Sequence, residues 1–342
     1  MTTEHTEHTE QVGVSRVFGN TSPQMKACMR IPIKDYILSS FRLTLLLGLI
    51  VFSSPSAFSQ TPALRTSVIL LGTGTPNADP DRSGPGVAVV VDSVAYLIDC
   101  GPGIVRRAAA AAKKHGVKGL EAKNLEHLFV SHLHSDHTIG LSDLLLTSWV
   151  LEREKPLQIY GPTGLKDMAR YILLAYDADI QNRLDGLQPA TTDGYKADAR
   201  EITGGLVYQD ERLRVTAFHV DHGTWKESFG YRFDTPDRSI VVSGDCVPSP
   251  ELIRFAKGCD VLIHEVFTAE GFKRRPAEWQ KYHAKSHTST AQLAEIANQT
   301  KPGLLVLYHQ LYWGVSDNDL ITEIRAAGYD GPVVSGADLE RY

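Results

Sequence analysis

The densest group of metal-binding side chains in this sequence is His132-Leu133-His134-Ser135-Asp136-His137. Three imidazoles and one carboxylate fall within six positions, at the end of the apolar run 125–131, which reads as a strand. In an extended chain, side chains two positions apart point to the same side, so His132 and His134 face a common point. Imidazole and carboxylate are ligands of zinc and related ions. The pattern therefore predicts a metal site at the end of this strand.

Three further metal-binding residues follow predicted strands. His222, Asp245 and His309 each come within two residues of a strand end. Because strand ends and loops meet at one edge of an open α/β architecture, we expect these residues to join the first group there. The combined set has seven nitrogen and oxygen ligands, too many for one tetrahedral ion. It suits two ions separated by about 3.5–4 Å.

These residues resemble the metallo-β-lactamase superfamily, and specifically its ribonuclease Z-like, arylsulfatase-like branch. The resemblance extends from Gly72-Thr73-Gly74-Thr75-Pro76 through Ser243-Gly244-Asp245 to His309. His264-Glu265 and Ser286-His287-Thr288-Ser289-Thr290 are similar to the branch's His-Glu-Ala-Thr and His-Ser-Thr stretches. The resemblance implies an α/β fold, a four-layer αβ/βα sandwich in a single domain.

The resemblance also implies a role for each site residue. It assigns His132, His134 and His222 to one ion, Asp136, His137 and His309 to the second, and Asp245 to the bridge between them. Asp136 would also orient the attacking water, and Glu265 with His287 would form a proton relay near the leaving group. An ordinary surface pair is the alternative for Glu265 and His287. Two divalent ions are expected, with Zn²⁺ preferred and Mn²⁺ or iron compatible with the same ligands.

The chemistry implied is metal-dependent hydrolysis of an ester-type bond, with a phosphodiester as the first choice. Arylsulfatase, lactonase or thioesterase activity would use the same ligands. A catalytically silent metal-binding protein is the alternative of another class. The expected substrate is a small anionic or ester molecule.

Composition is that of a globular chain rich in histidine. The 342 residues include 13 His, 42% hydrophobic residues and 35 Lys+Arg against 40 Asp+Glu. This acidic balance lacks the overall basic charge of a general nucleic-acid binder. Because the branch's tRNA processing is intracellular and this chain is acidic and predicted to be exported, tRNA is not the expected substrate. For the oligomeric state, a homodimer is the possibility that we consider.

Residues 29–59 have the pattern of a secretory signal peptide. A basic start precedes the apolar run 43–52, and small residues lead to a cleavage site after Ser59. The run is too short to span a bilayer, so no stable membrane association is expected after cleavage; an uncleaved anchor is the alternative. We interpret 1–28 as a non-native or disordered extension and 60–342 as the hydrolase domain, secreted or periplasmic.

Two stretches and several histidines carry weaker signals. Residues 177–205 read as a partly helical polar insertion or a mobile flap. Residues 271–286 combine basic and aromatic side chains, which favours either recognition of an anionic substrate or a solvated loop. His127 and His283 lack metal spacing and are predicted to lie at the surface, and His264 is predicted to be structural.

Overall fold

The structure is a computed structural model that describes residues 65–342, so the predicted extension 1–28 and signal peptide 29–59 lie outside the described residues. Its strands, in chain order, are β1 Thr66–Gly72, β2 Gly86–Val91, β3 Val94–Ile98, β4 His127–Phe129, β5 Leu157–Gly161, β6 Ala197–Glu201, β7 Gly205–Gln209, β8 Arg214–His219, β9 Phe229–Asp234, β10 Ser239–Val242, β11 Val261–Phe267, β12 Leu304–Leu311 and β13 Val333–Ser335. Its α-helices are α1 Ile104–His115, α2 Ser135–Thr138, α3 Leu141–Val150, α4 Leu165–Ala175, α5 Asp177–Asp185, α6 Pro250–Ala256, α7 Ala269–Lys273, α8 Ala277–Ser286, α9 Thr290–Thr300 and α10 Asp317–Ala326. None of these helices is long and apolar enough to cross a bilayer.

The strands form two mixed sheets of similar design. Strands β1 to β6 lie side by side in a six-stranded sheet, and β7 to β13 lie side by side in a seven-stranded sheet. In each sheet the first strands pair antiparallel and the later strands pair parallel. Parallel neighbours need crossover connections, which the helices provide. The parallel halves therefore present their carboxyl ends, and the loops that follow them, at the edge where the predicted metal ligands lie.

The two sheets pack face to face, with helices on both outer faces. Val68 and Leu70 of β1 point into the core between the sheets, whereas Ile69 and Leu71 pack in the outer core with α1 and α3. Helices α6, α9 and α10 cover the outer face of the second sheet. Strands buried on both faces have continuous apolar sequences, as these do. The predicted four-layer αβ/βα sandwich in a single domain is confirmed.

Residues 177–205 are partly helical, as one of the two predictions has it, and they also contribute a strand to the first sheet. They contain α5 and the edge strand β6, which pairs parallel with β5 from Leu157↔Ala197 to Gly161↔Glu201. The polar sequence of β6 reflects its position, because an edge strand is only partly buried.

The buried side chain of Arg153 links elements on the outer face of the first sheet. Arg153 is fully buried and donates hydrogen bonds to four backbone carbonyls, those of Leu125, Leu144, Leu145 and Gly194, at 2.8–3.2 Å. Burial lowers the pKa of Arg153 to about 10, which still leaves the guanidinium charged at neutral pH. The side chain thereby links α3 to the loops that flank β4 and β6.

Candidate metal centre

The predicted ligands lie at the carboxyl ends of four strands. His132 and His134 follow β4, Asp136 and His137 lie in α2, and the remaining residues, His222, Asp245 and His309, lie just after β8, just after β10 and within β12. All seven residues therefore lie at one edge of the sandwich.

A β-bulge places His309. Glu265 of β11 pairs with Tyr308 and Val266 pairs with Gln310, which leaves His309 as the extra residue in β12. Its φ is +45°, in the left-handed region that is uncommon for a residue with a side chain. A bulge redirects one side chain of a strand, and here it turns the imidazole toward the other ligands.

Three imidazole nitrogens form the first group. His134 Nδ1 lies 2.9 Å from His132 Nε2 and 3.2 Å from His222 Nε2. Burial lowers the pKa of His132 well below its usual value and lowers the pKa of His134 and of His222 to about 4. These imidazoles are therefore neutral at pH 7 and have lone pairs available for a cation.

One carboxylate and two imidazoles form the second group, and the carboxylate of Asp245 lies beside them. Asp136 Oδ2 lies 3.5 Å from His137 Nε2 and 3.3 Å from His309 Nε2. Asp245 Oδ2 lies 3.4 Å and 3.5 Å from the same two nitrogens. Asp245 also belongs to ligand-forming groups with His132 and with His222, so it lies between the two groups.

The second group has unsatisfied atoms suited to a cation. His137 Nε2 and Asp245 Oδ1 are buried, and neither has a hydrogen-bond partner among residues 65–342. Burial would raise the pKa of Asp245, but the neighbouring His309 and His137 hold it well below its usual value, so the carboxylate is charged. Buried polar atoms without partners are rare and call for an explanation. A divalent cation fits this donor set.

Hydrogen bonds on the far side of the rings orient two of the imidazoles. His137 Nδ1 donates to Asp99 Oδ2 at 2.8 Å, and His222 Nδ1 donates to the Ser286 carbonyl at 2.7 Å. Each bond fixes the tautomer that leaves Nε2 free to bind a metal. Asp99 is a functional residue that the sequence analysis did not identify. It follows β3 directly, the same position after a strand that identified His222 and Asp245.

Glu265 and His287 are brought together beside the ligands. Both are buried, with Glu265 Oε1 at 3.4 Å from His287 Nδ1 and Asp245 Oδ2 at 3.9 Å from the same nitrogen. Burial and the charge of Asp245 raise the pKa of Glu265 well above its usual value. Burial lowers the pKa of His287 to about 4. The two residues are therefore not an ordinary surface pair.

The structure corrects two of the other histidine predictions. His127 is buried between the sheets and stacks on Tyr96 at 5.1 Å, and His283 is buried in the wall of the active-site pocket. Neither lies at the surface. His264 is buried beside Cys246, in agreement with the structural role predicted for it.

A pocket of about 650 Å³ opens beside the ligand cluster. His134, Asp136, Asp245 and His309 line one part of it, together with His287. The rest of the lining comes from the turn at Pro76 and Asn77, from the segment 275–283, and from Leu311 and Trp313. A substrate in this pocket reaches several of the proposed ligands together with His287, behind which Glu265 is buried.

Comparison with known proteins gives a consistent assignment. Residues 95–310 match the family described as the beta-lactamase superfamily domain. A ribonuclease Z of Mycobacterium bovis (strain BCG / Pasteur 1173P2) is 32% identical over 278 residues, covering 80% of this chain and 96% of that protein. A ribonuclease Z of Mycobacterium sp. (strain KMS) is 35% identical over 277 residues, covering 80% of this chain and 94% of that protein.

Solved structures share the fold at lower sequence identity. Human tRNase Z, short form, has a TM-score of 0.59 at 24% identity, with 81% of this chain and 98% of that chain covered. The metallo-beta-lactamase fold protein YhfI of Bacillus subtilis has a TM-score of 0.60 at 18% identity, with 81% and 98% covered.

The prediction that tRNA is not the substrate is wrong. Relatives that match almost their whole length to this chain are named ribonuclease Z, and a protein with the same fold is named tRNase Z. The physical reason is that net charge describes the whole surface, whereas recognition depends on the local field. The lining of the pocket contains cationic Arg275 as well as the carboxylates of Asp136, Asp245 and Glu278, and its donor cluster fits divalent cations.

The domain match, the extent of identity and the cluster of buried imidazoles and carboxylates agree with one another. They make the chain a metal-dependent hydrolase that acts on ester bonds and that binds divalent metal. This protein belongs to the metallo-β-lactamase superfamily, in its ribonuclease Z-like branch.

Proposed function

We propose that this protein is an exported, dinuclear phosphodiesterase of the ribonuclease Z type, which cleaves a phosphodiester bond in RNA. The observation that carries the proposal is the position of Asp245 between two groups of buried donors. A carboxylate shared by two three-residue groups is the arrangement that a two-metal hydrolase needs.

The chain's own residues would hold the ions and keep them positioned. His132, His134 and His222 form the first site, Asp136, His137 and His309 form the second, and Asp245 serves both. The predominance of imidazole among the proposed ligands makes Zn²⁺ the first choice. When bound, divalent cations supply Lewis acidity at the phosphate and make a water molecule more acidic. Asp99 and the Ser286 carbonyl keep two of the rings in the binding tautomer.

Proton donation to the leaving oxygen is assigned to His287. Its neighbour Glu265 is buried, and its pKa is raised well above its usual value, which favours the protonated carboxyl group. His287 Nδ1 has no hydrogen-bond partner among residues 65–342, so it would accept a proton from Glu265, whose Oε1 lies 3.4 Å away, and release one from the opposite ring nitrogen. General acid catalysis of this kind contributes about 10²–10⁴-fold.

The experiment is a substrate panel for the metal-loaded protein. The panel comprises a tRNA precursor with a 3′ trailer, bis-p-nitrophenyl phosphate, p-nitrophenyl sulfate, an acyl lactone and a thioester. We expect the two phosphodiesters to be cleaved. Faster turnover of the sulfate, the lactone or the thioester contradicts the proposal and selects the corresponding hydrolase instead.

The proposed role of His287 can be tested by comparing two substrates that differ in their need for a proton at the leaving oxygen. In His287→Asn, cleavage of RNA falls by about 10²–10⁴-fold because the ribose oxygen is a poor leaving group that needs a proton. Cleavage of bis-p-nitrophenyl phosphate falls much less, since p-nitrophenolate leaves without one. His219→Asn is the matched control, because His219 is exposed and bonded to the Thr203 carbonyl. Equal losses on both substrates contradict the assignment.

Export rests on the pattern of residues 29–59. Expressed from Met29, the chain should be recovered outside the cytoplasm with Gln60 as its first residue. Fractionation followed by mass spectrometry of the N-terminus measures this. Recovery of the uncleaved chain in the cytoplasm contradicts export and leaves the proposed chemistry in place.

A further inference from the structure

One wall of the pocket follows a four-residue repeat in the sequence. Trp279 and His283 lie one turn apart on the same side of α8, and Arg275, just before the helix, and His287, just after it, continue the four-residue spacing. The stripe ends at His287, beside the ligand cluster. From the basic and aromatic segment 271–286, Arg275 and the aromatic residues Trp279 and Tyr282 line the pocket, whereas its lysines are exposed to solvent.

Trp313 completes this wall from the loop after β12. Its ring lies 4.5 Å from that of His283, and the Arg275 guanidinium lies 5.6 Å from the Trp279 ring and 5.5 Å from the Trp313 ring. Trp313 has a φ of +46°, a strained conformation for a bulky residue. Strain of this kind is concentrated at binding sites. We name Arg275, Trp279, Tyr282, His283 and Trp313 the aromatic wall.

The aromatic wall exposes large ring surfaces. Trp279 is 46% exposed and Tyr282 is 41% exposed, although both line a pocket. Indole and phenol faces bind flat aromatic groups by stacking. Arg275 offers a guanidinium that can bind phosphate, although the carboxylate of Glu278 also lines the pocket. Arg275 Nε is buried and has no hydrogen-bond partner within residues 65–342, so a donor remains available there.

We propose that the aromatic wall binds the base of an unpaired nucleotide next to the scissile phosphodiester. This rests on the proposed function and specifies its substrate class. The pocket volume of about 650 Å³ is that of a small-ligand site, so the base enters unpaired. Stacking tolerates every base because each has a π face, and the wall therefore selects for a nucleoside and not for a sequence.

Two probes that differ only in the base test this inference. Adenosine 5′-monophosphate and ribose 5-phosphate share the sugar and the phosphate, and each is titrated into the zinc-loaded protein by calorimetry. Adenosine 5′-monophosphate should bind about 5- to 150-fold more tightly, the range expected for stacking of one base. Trp279→Ala should remove most of this preference and leave the affinity for ribose 5-phosphate unchanged.

Matched variants separate recognition from folding. Trp279→Phe keeps an aromatic face and should retain most of the preference. Tyr171→Ala removes another exposed ring, on α4 outside this pocket, and should change neither affinity. Equal binding of the two probes by the wild-type protein overturns the inference, as does an unchanged preference in both Trp279→Ala and Trp313→Ala. Failure of the proposed phosphodiesterase function appears separately, as absent cleavage of bis-p-nitrophenyl phosphate.

Discussion

Replacing Asp99 by Asn changes one atom in the hydrogen bond that orients His137. Asp99 is buried, and its Oδ1 accepts from the Ser131 backbone N–H at 2.7 Å. Its Oδ2 accepts from Ser131 Oγ at 2.8 Å and from His137 Nδ1 at 2.8 Å. Asn keeps the size and shape of the side chain but has one NH₂ group in place of an oxygen.

The Asn side chain cannot accept hydrogen bonds from both the Ser131 N–H and His137 Nδ1, because only one of its two polar atoms is an acceptor. With its oxygen toward the Ser131 N–H, the NH₂ group faces His137 Nδ1, which must then accept. The imidazole proton moves to Nε2, the atom that lies 3.4 Å from Asp245 Oδ2 in the proposed second metal site. Loss of such an outer hydrogen bond costs about 10- to 100-fold in metal affinity, which equals about 1.4–2.7 kcal/mol.

The assay is competition with a chromophoric chelator, with the metal content followed by native mass spectrometry. We expect one ion to weaken by about 10- to 100-fold while the ion at His132, His134 and His222 is retained. Asp92→Asn is the matched control, because Asp92 is also an aspartate with positive φ at a strand end but pairs with Arg65 at the surface. Unchanged affinity in Asp99→Asn, or equal losses in the two variants, refutes the reasoning.

Three other perturbations have defined outcomes. Arg153→Leu leaves four buried carbonyls without their donor, so the free energy of unfolding should fall by about 3–5 kcal/mol in urea titrations; a loss within 1 kcal/mol contradicts this. Burial would raise the pKa of Glu323, but hydrogen bonds, led by that from Thr290 Oγ1, lower it below its usual value. The wild-type protein should therefore exceed Glu323→Gln in stability above about pH 5, and the difference should vanish as the pH falls through the lowered pKa; a difference that grows in acid is the contrary result. Removal of metal with a chelator should lower Tm and abolish hydrolysis, and re-addition of Zn²⁺ should restore both, because ions bound only by the folded state stabilise it; an unchanged Tm argues against bound metal.

The sequence was sufficient to predict that these histidines and aspartates cluster, because the determinants are local. His132, His134 and His137 lie within six positions, and His222 and Asp245 follow apolar runs that are recognisable as strands. Parallel strands bring their carboxyl ends to one edge, so separation along the chain does not hide such residues. The layered fold followed from the same alternation of apolar strands and helices.

The remaining features depend on contacts between distant segments. His127 is buried because Tyr96, Tyr208 and the opposite sheet enclose it, which its own neighbours in sequence do not indicate. Strand β6 is polar because it lies at a sheet edge, so its sequence resembles that of a loop. Trp313 itself has a positive φ where it joins the aromatic wall, and no pattern in the sequence predicts that conformation.

The most direct test of the account is the metal content of the wild-type protein and of Asp245→Ala, measured together with hydrolysis of bis-p-nitrophenyl phosphate. The account predicts two ions per chain in the wild-type protein, because Asp245 lies between two groups of donors. In Asp245→Ala, metal content and activity should fall together. Phosphodiester hydrolysis that persists in metal-free protein, or full activity in Asp245→Ala, would contradict it.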